Sequence, residues 1–228
     1  MNPKTDGPLH LGIVLYPGFE PLDVFGPLEM FMYVGVERLV VHMIAQEAGL
    51  VPSSTGAYPA AIAPKVQADV SLADAPPLDI IMVPGGFGTL QQLQNETLLV
   101  WLRERAPSTR YMTSVCSGSA ILAKAGLLDG RKATSNKQLW SFLTAQGPAV
   151  DWQKSARWVE DGMLITSSGV SAGIDMALAL IAKLYGVEAA EAIANGTEYE
   201  WHRDPAEDPF ARYLDQGMPG LTAAQPQP

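Results

Sequence analysis

Apolar positions along this chain follow two regimes: short unbroken runs, and longer stretches where they recur every three or four residues. The segments Leu11-Gly12-Ile13-Val14-Leu15-Tyr16 and Leu78-Asp79-Ile80-Ile81-Met82-Val83 are of the first kind. Such runs are expected of strands buried on both faces of a parallel sheet. Residues 39–44 and 110–115 read as further strands. The second regime predicts helices over 22–34, 90–104, 117–125, 137–143, 171–184 and 188–201, with Gly186 as a terminator between the last two. In the second of these helices Leu90, Leu93, Leu98 and Leu102 form one apolar face. Residues 48–72, rich in Pro, Gly, Ser and Thr, suit a hairpin-like excursion, and 156–165 a hairpin turning at Glu160-Asp161-Gly162.

Strands alternating with helices imply an α/β domain whose mostly parallel sheet is covered on both faces. Ligands in such folds bind outside the carboxyl ends of the strands. Three segments fall at such ends: 17–23, Pro84-Gly85-Gly86-Phe87-Gly88, and Cys116-Ser117-Gly118-Ser119. Cys116 stands where a strand pattern changes into a helix pattern, the cysteine counterpart of a strand-to-helix nucleophile elbow. A helix N-terminus there favours thiolate over thiol. The competing reading is an inert buried thiol, the usual fate of a free cysteine. Asp23, at a predicted helix start among Leu22, Val24 and Phe25, is either a cap or a desolvated carboxyl group that stays protonated and serves as general acid. The Gly85-Gly86 turn offers open backbone N–H groups to developing negative charge, with Gly86 and the N–H of Ser117 as the expected pair.

Composition narrows the field. Hydrophobic residues at 47% and charged residues at 17% describe a chain with a full core rather than a disordered one. A net charge of −9 disfavours nucleic acid and anionic membrane surfaces as partners. No apolar run approaches a membrane span, and the first residues lack the apolar core of a signal peptide. A lone cysteine fits a reducing cytosol, so the expected location is cytoplasmic. Three scattered histidines and one cysteine argue against a metal site and leave a Cys–His–Asp hydrolase without a clear base. No cofactor is expected, since neither a Gly-x-Gly-x-x-Gly nor a P-loop sequence is present. The expected organisation is a flexible N-terminus over 1–8, one domain over 9–202, and a Pro-rich tail over 203–228, of which 216–228 should be partly disordered.

Several of these segments together resemble the ThiJ/PfpI superfamily. They are Leu22-Asp23-Val24-Phe25-Gly26-Pro27-Leu28-Glu29, Val83-Pro84-Gly85-Gly86, Thr113-Ser114-Val115-Cys116-Ser117-Gly118-Ser119, the stretch from Ala125 to Thr134, and Ser171-Ala172-Gly173-Ile174-Asp175-Met176-Ala177-Leu178. The resemblance spans about residues 10 to 185. It implies a flavodoxin-like, class I glutamine amidotransferase-like fold and a homodimer acting on a small-molecule substrate.

Within the superfamily the chain looks most similar to the isocyanide (isonitrile) hydratases, which use Asp in the helix-start motif. That likeness implies Cys116 as nucleophile forming a thioimidate, with Asp23 in proton transfer and Ser117, where the hydratases usually carry Thr, beside the sulfur. One departure stands out: Ala133-Thr134-Ser135-Asn136 has Asn where relatives with an Ala-Thr-Ser/Thr-His run have His. Asn136 is therefore expected to hydrogen-bond a ligand, and an amidase lacks its base. Other readings are a glyoxalase-like or amidase activity, a redox-sensing or chaperone-like protein, and the ligand-sensing domain of a regulator. The acidic charge and the absence of a helix-turn-helix pattern disfavour the last.

Overall fold

A computed structural model describes residues 7–53 and 62–216. Its sheet is built on the apolar runs: β1 (Leu9–Val14), β2 (Leu39–Ala45), β5 (Val70–Ser71), β6 (Ile80–Val83), β7 (Tyr111–Ser114), β10 (Trp158–Asp161) and β11 (Leu164–Ser167). They lie in the order β10-β11-β7-β6-β1-β2-β5, parallel throughout except for β10 against β11. Every residue of β6 and β7 is buried, which explains why these strands show no alternation. The expected 48–72 excursion contains the antiparallel pair β3 (Gly49–Pro52) and β4 (Lys65–Ala68). A second small pair, β8 (Lys132–Ala133) with β9 (Asp151–Trp152), was not legible from the pattern.

Helices cover both faces: α1 (Pro21–Met32), α2 (Thr89–Gln92), α3 (Glu96–Arg105), α4 (Gly118–Lys124), α5 (Trp140–Thr144), α6 (Ala172–Tyr185) and α7 (Val187–Gly196). The mostly apolar α6 packs against α1, α7 and β11, and it ends at Gly186, whose φ of 100° glycine alone tolerates well. Three expected helices are shorter than their patterns. The 90–104 stretch breaks at Asn95, whose side chain accepts from Leu98 N–H and starts α3 afresh. The 137–143 helix begins only at Trp140, because Asn136 Oδ1 takes the N–H groups of Gln138 and Leu139 at 2.8 and 3.2 Å. The last helix stops at Gly196, where Glu198 turns left-handed (φ 53°).

β1 pairs β2 on one side and β6 on the other. The connections after β1 and β6 thus leave the sheet in opposite senses, and a crevice opens at their carboxyl ends. Register sharpens this: Val83 of β6 pairs Ser114 of β7, which sets the 84–88 turn beside Cys116. Of the expected flexible start, residues 1–6 lie outside the described residues, as do 217–228 of the expected tail. Residues 203–216 lie against the domain: Pro205 O accepts from Arg157 N–H at 2.8 Å and Ser155 O from Asp208 N–H at 2.7 Å. Among the described residues no helix is long and apolar enough to cross a membrane.

Candidate active site

Cys116 leaves β7 with φ 58°, a left-handed conformation that a side chain adopts only under constraint. Its N–H donates to Ser168 O at 3.0 Å, and its carbonyl accepts from the hydroxyls of Ser119 and Ser135 at 3.2 and 3.3 Å. The sharp turn needs glycine two residues on: a Cβ on Gly118 would stand 2.1 Å from Val83 O. Cys116 so presented is 6% exposed and lines a cavity of about 430 Å3. The remaining lining is Glu20, Gly86, Thr89, Ser117 and Asn136 on the polar side, with Phe87, Leu90, Leu139, Phe142, Leu143 and Val170 on the apolar side.

Asp23 lies in the first turn of α1, fully buried. One oxygen, Oδ2, accepts from Gly85 N–H at 2.7 Å, while Oδ1 has no hydrogen-bond partner among the described residues. Burial pushes its carboxyl group up to about 8; the Gly85 N–H works against this shift, Glu20 adds to it, and the Cys116 thiol opposes it. Only glycine at 85 permits this approach, since a Cβ there would lie 2.5 Å from Ser117 Oγ and 2.9 Å from Asp23 Oδ2. The carboxyl group is thus not a helix cap: Gly85 N–H holds it.

The thiol departs from expectation. Burial pushes it upward, and the neighbouring Asp23 adds to the shift, against the pull of the helix N-terminus. Three donors work the other way: the backbone N–H groups of Val170 and Ser117 and the amide of Asn136. Asn136 Nδ2 lies 3.2 Å from Sγ. Because its Oδ1 is taken by two backbone N–H groups, the amide is oriented with its donor on the sulfur. Asn136, expected against a ligand, lines the cavity and also donates to Cys116 Sγ.

The glycine turn is also corrected. Gly85 N–H holds Asp23, Gly86 N–H donates to Ser117 Oγ at 3.0 Å, and Ser117 N–H faces the sulfur. The donors expected to face substrate are therefore engaged within the protein. Ser117 Oγ lies 2.8 Å from Thr89 Oγ1, which in turn lies 3.2 Å from the Tyr16 hydroxyl; Tyr16 donates to Pro84 O at 2.6 Å. This chain of hydroxyls ties the ends of β1, β6 and β7 together.

Glu20 and Val170 are among the lining residues that the sequence did not single out. Glu20 precedes α1, half-buried, its carboxyl group raised by burial. Val170 follows β11 with φ 44°, an outlying conformation for a β-branched residue. The Ser168-Gly169-Val170-Ser171 turn, at the carboxyl end of a fourth strand, was the available signal. Asp175 stays outside the site, buried against Arg157, whose Nε donates to Oδ2 at 2.7 Å. Among the described residues no group of three or more His, Cys, Asp or Glu side chains is placed to hold a metal ion.

Comparison with known proteins adds four findings. The family profile described as "DJ-1/PfpI family" matches residues 11–183. The chain is 36% identical over 193 residues to the isonitrile hydratase of Pseudomonas putida, covering 84% of this chain and 78% of that one. It is 29% identical to the HTH-type transcriptional regulator CdhR of Pseudomonas aeruginosa, covering 78% of this chain but 51% of the regulator. Among solved structures it superposes on a ThiJ/PfpI family protein from Pseudomonas syringae with a TM-score of 0.75 and 31% identity, over 88% of this chain and 81% of that one.

Proposed function

The chain belongs to the DJ-1/PfpI family, and from that premise we propose that it is a cysteine-dependent enzyme of the isonitrile hydratase kind. It adds water to an isocyanide, R–NC, and releases the formamide R–NH–CHO. The observation that carries this reading is the convergence of Asp23 and Asn136 on Cys116 beside a largely apolar cavity. An isocyanide is neutral and presents little to hydrogen-bond except its terminal carbon. An apolar cavity with one thiol in its wall, backed by the buried acid Asp23, suits it better than it suits an amide, whose hydrolysis wants a base where Asn136 offers a donor.

The steps balance as follows. Sγ bonds to the terminal carbon while that carbon receives one proton from the thiol–carboxyl pair, giving a thioformimidate on Cys116. Water then adds to the same carbon; its oxygen forms the new C–O bond and the nitrogen takes a proton. Breaking the C–S bond expels the formamide while the adduct's hydroxyl proton passes to the thiol–carboxyl pair, which restores the proton that the pair gave up in the first step. A carboxyl group near pKa 8 suits both directions of transfer at neutral pH. As the sulfur gains charge when the proton moves and when the C–S bond breaks, the N–H groups of Asn136, Val170 and Ser117 stabilise it.

The likeness to the Pseudomonas putida enzyme supports the same reading, and the raised thiol speaks against a peroxide sensor, which needs an ionised, accessible sulfur. The homodimer belongs to this reading too, supported by Leu22, Phe25, Met32 and Tyr33, which α1 and its cap leave exposed; sedimentation velocity tests it. For the activity, the protein is incubated with p-nitrophenyl isocyanide and formamide is followed. Turnover lost in Cys116→Ser supports the assignment; no turnover across several isocyanides with the cysteine reduced refutes it. Turnover of methylglyoxal alone selects a glyoxalase-like activity instead.

A further inference from the structure

Beneath the loop that carries Asn136 lies a buried cluster of charges that the chemistry above does not use. Lys137 is 2% exposed; its Nζ donates to Thr134 Oγ1 at 2.8 Å, Ala156 O at 2.9 Å and Ser135 O at 3.2 Å. Its counter-ion is Asp208, from the C-terminal segment, at 3.6 Å. Asp208 also faces Arg157 Nη1 at 3.6 Å, and Arg157 is held by Asp175 at 2.7 Å. A few residues on, Asp215 returns to the same loop: its N–H donates to Lys137 O at 2.9 Å, and its carboxylate accepts from Ser141 N–H at 2.8 Å and Ser141 Oγ at 2.5 Å. The C-terminal segment thus grips both flanks of the 134–141 loop.

A buried ion pair is weak evidence for stability, because desolvation offsets most of its attraction. What such a pair supplies well is a fixed geometry. The geometry in question is that of Asn136, next to Lys137, whose amide bonds Sγ and whose oxygen caps the turn on the side that Asp215 clasps. We infer that Asp208 and Asp215 are positioning residues: the C-terminal segment is a strap that holds the loop so that Asn136 keeps its donor on Cys116. The effect on turnover rests on the hydratase reading; the effect on the thiol does not.

The test therefore reads the thiol itself, as the rate of Cys116 alkylation by iodoacetamide across pH. Asp215 is exposed and left-handed, with φ 57°, so Asp215→Gly removes the carboxylate at a site where glycine fits. Asp208→Asn is the second variant, and Asp215→Gly decides alone if Asp208→Asn does not fold. Losing an aimed donor removes stabilisation of the thiolate. Alkylation at a fixed pH should slow roughly tenfold, the weight of one hydrogen bond to a charged acceptor, and its midpoint should move up. In an Asn136→Ala background the same substitutions should change the rate less than twofold, because the strap acts through that amide. Unchanged or faster alkylation in folded Asp215→Gly, or equal slowing with and without Asn136, overturns the inference. If alkylation follows the expected pattern while no isocyanide is hydrated, the strap stands and the hydratase reading falls.

Discussion

Replacing Asp23 with Asn tests whether its carboxyl group is protonated in the native protein, on which the proposed proton transfer depends. Burial holds the group at about 8, against 3.8 when unperturbed. Between those values the native state holds a proton that the unfolded state has released, so stability falls as pH rises. The full contribution is present below the unfolded value and is lost as pH climbs through the folded one. The slope for one such group is about 1.4 kcal/mol per pH unit, or about 3 kcal/mol between roughly pH 5.5 and 7.5. Urea unfolding of wild type and Asp23→Asn at both ends of that range measures it. The variant keeps a side-chain oxygen for Gly85 N–H, yet cannot titrate. Its stability should therefore lose this downward slope, leaving a wild-type-minus-variant difference that shrinks by about 3 kcal/mol as pH rises. Parallel curves for the two proteins would refute a protonated Asp23 and the general-acid role with it.

Other outcomes follow from the same geometry. Gly85→Ala sets a Cβ within 2.9 Å of Asp23 Oδ2 and 2.6 Å of Ser117 N. It should cut kcat about a hundredfold or more through misplacement alone, measured by formamide release in protein shown to be folded by circular dichroism. Asn136→Asp puts an acceptor where the sulfur needs a donor, so the thiol should rise further and alkylation should slow, as a pH–rate titration of iodoacetamide reads. Leu90→Asp places charge in the apolar lining; it should raise KM for an aryl isocyanide about tenfold while sparing kcat, from the loss of one buried apolar contact.

The sheet and the meeting of its strand ends were legible because both rest on local signals. Apolar runs mark buried strands, and residues at strand ends meet at one edge in any parallel sheet. What stayed hidden depends on orientation. Nothing in Pro84-Gly85-Gly86 tells which way its N–H groups point, and they turn inward to Asp23 and Ser117. A helix N-terminus suggested a thiol shifted downward, but burial of Cys116 pushes it the other way. Val170 gives no hint of its left-handed backbone, since a β-branched residue is the last expected there. Lys137 and Asp208 stand 71 residues apart; their pairing is tertiary and leaves no pattern along the chain.

The central claim is a covalent bond between Cys116 and the terminal carbon of an isocyanide, and intact-protein mass spectrometry after rapid quenching of a turnover mixture tests it most directly. A transient species heavier by the whole isocyanide, located on Cys116 by peptide mapping and decaying as formamide appears, is the predicted result. Formamide released at an undiminished rate by Cys116→Ser would contradict it.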